Sequence, residues 1–104
     1  MIKGQKITYE ITATVRPDLC SDYERYMIDR HIPDLLETGA FEGASFSRSR
    51  DGRYRIRYEA RSREALDQYL AEHASRLRQH LAESFQDGIE LSREEWEQIK
   101  KWGL

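Results

Sequence analysis

The sequence predicts an α+β fold of the ferredoxin-like kind. This fold is a split β-α-β-β-α-β arrangement, with a four-stranded antiparallel sheet and two helices on one face. Two patterns predict it. Hydrophobic residues recur first with a strand period, then a helical period, and the cycle repeats; an Asp-Gly pair lies between two alternating runs. The chain has 104 residues, the size of one domain, so we expect residues 1–104 to form a single ferredoxin-like domain.

The first strand is predicted over residues 6–15. Apolar and β-branched residues alternate there with polar ones, which is typical of a strand buried on one face. Pro17 follows and ends the run. In this topology the first and third strands are central. We expect their helix-facing side chains to be Ile7, Tyr9, Ile11, Ala13, Val15, Tyr54, Ile56 and Tyr58.

The first helix is predicted over residues 22–38, where apolar residues recur at helical spacing. Ser21 or Asp22 can cap its start. Pro33 has no backbone N–H and clashes with the preceding turn, so it kinks this helix or starts a second one. Gly39 then ends the helix in a left-handed conformation.

A β-hairpin is predicted where residues 41–49 and 54–60 flank the pair Asp51-Gly52. Asp-Gly is a strong signal for a two-residue turn, and such a turn fixes the register of both strands. This register pairs Ser47 with Ile56, Phe46 with Arg57, and Arg48 with Arg55. The face opposite the helices is then expected to show Thr8, Glu10, Thr12, Thr14, Phe46, Arg48, Arg55, Arg57 and Glu59.

The second helix is predicted over residues 63–85, with Ser62 as its cap and Gly88 after its end. The tail has two interpretations from its residues alone. A capping box at residues 92–95 favours a helix to Trp102, whereas an apolar alternation from Ile89 favours a strand.

Composition excludes several classes of function. The net charge of −2 argues against a nucleic-acid-binding protein, and no run approaches the roughly 20 apolar residues of a membrane span. The first residues lack the apolar core of a signal peptide, and the one cysteine, Cys20, cannot form an internal disulfide. We therefore expect a cytoplasmic protein. His73 and His80 are too far apart on one helix for a shared metal, so we expect no metal site. The sequence has neither a P-loop nor a dinucleotide fingerprint, and we expect no cofactor.

The charged residues are unevenly placed. Of the 13 arginines, seven lie between Arg48 and Arg63, whereas the stretch from Glu83 to Glu97 is acidic. Opposite patches on one chain can meet within the fold or across a symmetric dimer. Because the sheet face away from the helices is uncovered in this fold, we expect a homodimer.

The segment from His31 to Phe41 carries a motif, H-I-P-D-x-L-x-T-G-x-F in this chain. Through it the chain resembles an uncharacterised family, number four-two-eight-six of the domains of unknown function. The resemblance runs on over nearly the whole chain to Trp96 and Glu97. It implies the dimeric α/β-barrel branch of ferredoxin-like folds, and it favours a final strand from Ile89 to about Glu97. The polar run 98–101 departs from the apolar strand end usual in the family.

His31 and Asp34 are the first candidate site residues. A histidine at a helix kink, oriented by a nearby carboxylate, suits acid–base chemistry or ligand binding. The alternative is a structural histidine that satisfies the backbone around Pro33. Whether His31 lines a cavity distinguishes the two.

A second candidate site uses charged residues predicted on the uncovered face: Glu10, Arg48, Arg55 and Arg57. Inside a paired-sheet dimer, guanidinium groups suit a small anionic ligand with a carboxylate or phosphate. The alternative is a solvated face, or ion pairs that only close the dimer.

Three functions are compatible with the sequence, and whether the protein is an enzyme stays open. The first is a homodimer that binds a small anionic molecule between paired sheets. The second is a small enzyme like the cofactor-independent oxygenases of the dimeric α/β-barrel superfamily, which is an analogy of fold. The third is a protein–protein adaptor that uses the arginine-rich hairpin.

Overall fold

The core of the molecule is one antiparallel sheet, and the computed structural model describes residues 6–103 of the chain. The strands are β1 (Ile7–Val15), β2 (Phe41–Arg48), β3 (Arg53–Ala60) and β4 (Ile89–Glu97). Their order in the sheet is β2-β3-β1-β4. The first and third strands are therefore central, and the predicted ferredoxin-like arrangement is confirmed.

The two predicted helical regions are each divided into two segments. The helices are α1 (Cys20–Tyr26), α2 (Ile32–Glu37), α3 (Arg63–Glu72) and α4 (Ala74–Ser84). A π-helical turn, Met27–His31, joins α1 to α2, and Pro33 lies at the start of α2, as the sequence predicts. Within residues 6–103, no helix combines the length and apolar character needed to cross a membrane.

The caps are confirmed in part. Ser62 accepts a 3.0 Å hydrogen bond from the Ala65 amide at the start of α3. Gly39 ends α2 with a φ of 81°. The predicted cap at Ser21 or Asp22 is wrong, because α1 begins at Cys20 directly after a 3-10 turn and no side chain caps it.

The hydrophobic core lies between the helices and the inner face of the sheet. β1 and β3 contribute Ile7, Tyr9, Ala13, Val15, Tyr54, Ile56 and Tyr58, all buried as predicted, whereas Ile11 is only partly buried. The helices contribute Tyr23, Met27, Leu35, Leu66, Tyr69, Leu77 and Leu81. Several core members are tyrosines, so hydroxyl groups are carried into an otherwise apolar layer.

The predicted hairpin register is wrong by one residue. Ser49 donates a 2.8 Å backbone hydrogen bond to Arg53, so the loop has three residues, Arg50 to Gly52, rather than two. Arg48 consequently pairs with Tyr54, Phe46 with Ile56, and Ser47 with Arg55. A shift of one residue exchanges the two faces of a strand. Phe46 and Arg48 therefore lie on the helix side, while Ser45 and Ser47 share the outer face with the arginines of β3.

The tail is a strand, as the family resemblance favours. β4 pairs with β1 from Ile7 opposite Glu97 to Val15 opposite Ile89. The helix suggested by residues 92–95 is wrong. As a strand, this segment forms hydrogen bonds with the backbone N–H and C=O groups along the free edge of β1, and a helix could not do so.

Candidate functional site

A small cavity lies between the inner face of the sheet and the helices. Its volume is about 20 Å³, which is room for about one water molecule. Aromatic and aliphatic side chains form most of its wall, and two arginines and one histidine join them. The lining residues are Tyr9, Ile11, Tyr23, Met27, His31, Leu35, Ile56, Tyr58, Tyr69, Arg78, Leu81, Leu91 and Arg93.

Three polar atoms on this wall are buried without a hydrogen-bond partner. They are the Tyr23 hydroxyl, Nδ1 of His31 and Nε of Arg78. Buried polar groups are almost always paired, because an unpaired one loses its bonds to water without replacement. Three such atoms around one cavity therefore form a set of polar groups that a water molecule or a polar ligand could satisfy.

His31 comes to the cavity from the π-helical turn. Burial is the main cause that lowers the pKa of His31 to about 4, and the charges of Arg93 and His80 lower it further. The Asp34 carboxylate acts in the opposite direction. Because this pKa lies far below 7, the imidazole is uncharged at pH 7, and one ring nitrogen can accept a hydrogen bond.

The π-helical turn itself marks the site. Met27 begins the turn and His31 ends it, and both line the cavity. Such turns widen a helix by one residue and are frequent at functional sites. Here the turn changes which side chains of the α1–α2 region face the sheet, and it brings the imidazole inward.

Arg78 enters the cavity wall from α4. Its Nη2 donates a 2.9 Å hydrogen bond to the Tyr9 hydroxyl. Within residues 6–103, Arg78 forms no ion pair with a carboxylate. A partly buried guanidinium without a counter-ion favours an anion in the neighbouring space.

The tyrosines keep their hydroxyl groups protonated. Burial raises the pKa of Tyr23, and burial is the largest cause that raises the pKa of Tyr58 and of Tyr69. At neutral pH these side chains are hydrogen-bond donors rather than anions. The cavity therefore offers donors and positive charge, with the neutral imidazole of His31 as an acceptor.

The structure does not bring all of the predicted site residues together. His31 lines the cavity, and Asp34 lies close enough to influence its pKa. Glu10, Arg55 and Arg57 lie on the other side of the sheet, where Nε of Arg57 is 2.9 Å from the Glu10 carboxylate. Their predicted role between paired sheets stays a prediction.

Arg48 is not on the outer face, which corrects its predicted position. Its guanidinium donates a 2.9 Å hydrogen bond to the Glu24 carboxylate of α1. The Tyr54 hydroxyl donates to the same carboxylate at 2.6 Å, and these two bonds lower the pKa of Glu24. This cluster attaches the hairpin to the first helix and has no part in the cavity.

Sequence reasoning missed Tyr23, Arg78 and Arg93 as site residues. One signal for Arg78 was present. It falls four residues after Ala74 and three before Leu81, within the apolar stripe of its helix, where a charged side chain needs a reason. No comparable signal marks Arg93, because its position depends on the pairing of β4. Within residues 6–103, no group of three His, Cys, Asp or Glu side chains could hold a metal ion.

Comparison with known proteins identifies a family and a fold. The family model named Domain of unknown function (DUF4286) matches residues 6–99, which is nearly the whole chain. Among curated proteins, no sequence matches.

Solved structures show the same fold at low sequence identity. SnoaB, a cofactor-independent oxygenase from Streptomyces nogalater, has a TM-score of 0.76 and 15% identity, over 94% of this chain and 97% of that chain. A candidate antibiotic biosynthesis monooxygenase from Nitrosomonas europaea has a TM-score of 0.72 and 9% sequence identity, over 99% of both chains. A dimeric ferredoxin-like protein from an uncultured marine organism has a TM-score of 0.65 and 13% sequence identity, over 95% of this chain and 100% of that chain. Identities this low show likeness of fold alone.

Proposed function

The chain belongs to the DUF4286 family, and we propose that it is a homodimer that binds a small organic anion in its interior cavity. One observation carries the proposal. The unpaired polar atoms of Tyr23, His31 and Arg78 converge on one cavity between the sheet and the helices. An apolar pocket with a few convergent polar groups is the usual form of a small-molecule site.

The charge of the wall favours an anion. Arg78 and Arg93 both line the cavity, and Arg78 has no carboxylate partner within the described residues. The Tyr23 hydroxyl is free to donate a further hydrogen bond. A carboxylate or phenolate oxygen accepts from both groups at once. The surrounding aromatic rings favour a planar carbon skeleton.

The cavity has to widen for such a ligand. Its volume of about 20 Å³ is smaller than an aromatic ring. Met27, Leu81 and Leu91 form part of the wall. Methionine has three rotatable bonds and adapts to irregular space. Arg93 is exposed, so the entry lies beside β4 at the edge of the sheet.

Self-association through the outer face of the sheet is the second part of the proposal. None of the helices described in residues 6–103 covers that face, and it carries charged and polar side chains together with half-exposed Trp96. We also propose a cytoplasmic location, because a chain with one cysteine, Cys20, does not need an oxidising compartment to form internal disulfides.

Salicylate is a suitable probe for the cavity, because it carries a carboxylate on an aromatic ring. We expect amide NMR shifts to change at Met27, His31 and Arg78 when salicylate is added to the dimer. Benzyl alcohol, an uncharged control, should cause no such shifts. Arg78→Met should abolish the response, and shifts confined to Arg55 and Arg57 would instead place the anion on the outer face. No shifts in either region would contradict the proposal.

A cofactor-independent oxygenase is the second candidate function. Its specific support is that His31 lines the cavity with an uncharged imidazole that can accept a hydrogen bond from a bound molecule, and that Arg78 and Arg93 on the same wall favour the anion left when that molecule loses a proton. SnoaB, which shares the fold, is described as such an oxygenase. Under this proposal, removal of a proton leaves an electron-rich substrate anion that reacts with O₂ directly.

Oxygen uptake tests this second function. One molecule of hydroquinone and one of O₂ give one of hydroxybenzoquinone and one of water, so one oxygen atom of O₂ enters the product, and mass spectrometry after reaction in ¹⁸O₂ distinguishes this product from simple oxidation to benzoquinone. We expect wild-type protein to raise the rate of O₂ consumption above that of buffer, and His31→Gln to remove the increase. Equal rates for wild type, variant and buffer would contradict an oxygenase activity toward this phenol and leave anion binding as the function.

A further inference from the structure

The outer face of the sheet carries its charges in two stripes. β3 presents three arginines, and β4 presents two glutamates, with β1 between them. Neighbouring strands lie about 5 Å apart, so the stripes are separated by about 10 Å. The face carries four positive and four negative side chains in total. They are Lys6, Arg53, Arg55, Arg57, Glu10, Glu59, Glu90 and Glu94.

Half of these charges are paired within the chain. Nε of Arg57 is 2.9 Å from Glu10, and Nζ of Lys6 is 3.9 Å from Glu59. Among the described residues, no ion pair includes Arg53, Arg55, Glu90 or Glu94. Two unpaired cations on β3 therefore remain with two unpaired anions on β4.

The levels of these residues along the strands match. Thr12 of β1 pairs with Arg55 on one side and with Ser92 on the other. Arg55 is therefore level with Ser92, midway between Glu90 and Glu94. By the same pairing through Thr14, Arg53 is level with Glu90.

A two-fold axis parallel to the strands joins these stripes. Rotation about an axis along β1 keeps every residue at its level and exchanges the two sides of the sheet. The β3 stripe of one copy then faces the β4 stripe of its partner, and the reverse contact forms at the same time. Each copy supplies the charges that the other copy lacks.

We infer that the outer face pairs with a second copy of this chain in this orientation, with Arg53 and Arg55 of β3 opposite Glu90 and Glu94 of the second copy. The inference rests on the homodimer proposed above and adds its orientation. An axis across the strands places β3 on β3 instead, so arginine meets arginine. Like charges brought together in an interface are strongly unfavourable, and this contrast selects the first orientation.

Trp96 adds an apolar anchor at one end of the face. It lies on β4 opposite Thr8 and is 50% exposed. Large aromatic side chains are common centres of binding energy in interfaces. In the inferred orientation it contacts the end of β3 of the second copy, near Glu59.

Charge reversal tests the orientation. Arg55→Glu places a third acid opposite the Glu90 and Glu94 pair, and Glu94→Arg places a cation opposite the arginine stripe. We expect each variant alone to weaken the dimer by about tenfold or more in dissociation constant, measured by analytical ultracentrifugation. Chains with both changes should regain the wild-type dissociation constant, because the pairs are then simply inverted.

Mixing the two single variants is the sharper experiment. In the inferred orientation, both contacts of the mixed dimer join opposite charges. Native mass spectrometry of an equimolar mixture should therefore show the mixed dimer in excess over both self-paired dimers. Arg25→Glu on α1 and Glu72→Arg on α3 are matched controls, since both are exposed on the helix side. Their mixture should show the statistical ratio.

The outcomes separate the orientation from the dimer itself. A wild-type monomer would contradict the homodimer and with it the orientation. The dissociation constant of the Arg55→Glu dimer could equal that of wild type while a mixture of Arg55→Glu and wild-type chains forms mainly mixed dimers. This result would show that β3 of one copy faces β3 of the other, and it would overturn the inference. A dimer indifferent to every charge reversal would place the interface elsewhere.

Discussion

The guanidinium of Arg78 and the hydroxyl of Tyr9 form a 2.9 Å hydrogen bond that ties α4 to the central strand β1. Beside it, the Tyr23 hydroxyl is buried in the same cavity wall without a partner. The Tyr9 hydroxyl thus has a hydrogen-bond partner, whereas the Tyr23 hydroxyl has none. One hydroxyl contributes a hydrogen bond to the fold, whereas the other is the group that the proposed ligand would use.

Removal of each hydroxyl should therefore have a different effect. Tyr9→Phe leaves the Arg78 donor unpaired, so we expect it to lower the free energy of unfolding by about 1–3 kcal/mol. Tyr23→Phe removes an unpaired buried group and should leave the stability unchanged or raise it by up to about 1 kcal/mol. Urea denaturation measures both. Equal losses would show that Tyr23 has a structural partner.

The stability should depend on pH through His31. Its pKa of about 4 in the folded protein lies below the value of about 6.5 in an unfolded chain. The unfolded state therefore takes up the proton first, and stability is lost as the pH falls from about 6.5 toward 4. This one group should cost about 1–2 kcal/mol between pH 7 and pH 5. His31→Gln should remove that part of the loss in urea titrations at the two pH values; an unchanged pH dependence would contradict the burial of the imidazole.

The hairpin loop should tolerate no side chain at Gly52. Its φ is 71°, and an added Cβ would lie 2.5 Å from the Val15 carbonyl oxygen. Gly52→Val should lower the free energy of unfolding by more than about 1 kcal/mol. Gly39 is the matched control, because its φ is 81° but an added Cβ meets nothing within 4 Å. Thermal melts of Gly52→Ala and Gly39→Ala isolate the clash, and equal shifts would show that the Val15 contact yields easily.

The corrected register of the hairpin predicts which residues of β2 support the core. Phe46 packs against Tyr23 and Tyr54, with ring centroids 6.2 and 5.5 Å away. Phe46→Ala should therefore cost about 2 kcal/mol or more. Ser47→Ala, on the outer face, should change the stability by less than about 0.5 kcal/mol. A larger loss of stability in Ser47→Ala than in Phe46→Ala would instead support the register of the two-residue turn.

Much of the fold could be predicted because its signals are local. The alternation in β1 and β3 follows from the fact that successive side chains of a strand point to opposite faces. Tyr9, Ile56 and Tyr58 are buried as this pattern predicts. Gly39 and Ser62 mark helix ends, because one residue's φ or one hydroxyl is enough to end or begin a helix.

The candidate site was predicted only at His31. Its motif and the adjacent Pro33 mark this helical turn in the sequence. The other groups of the site come from separate elements. Tyr9 and Arg78 are 69 residues apart along the chain and meet only when α4 packs on β1. No local pattern encodes that distance.

By itself, the sequence determined the element order, the buried faces of the central strands and the presence of two opposite charge patches. Only the tertiary structure decided the rest. A three-residue loop sets the hairpin register, and Arg48 therefore contacts Glu24 on the helix side rather than lying on the outer face. The packing of α4 and the π-helical turn onto the sheet left a cavity with three unpaired polar atoms. The physical reason is that periodicity fixes which side of an element is apolar, whereas the register between elements and the voids between layers depend on how whole side chains fit together.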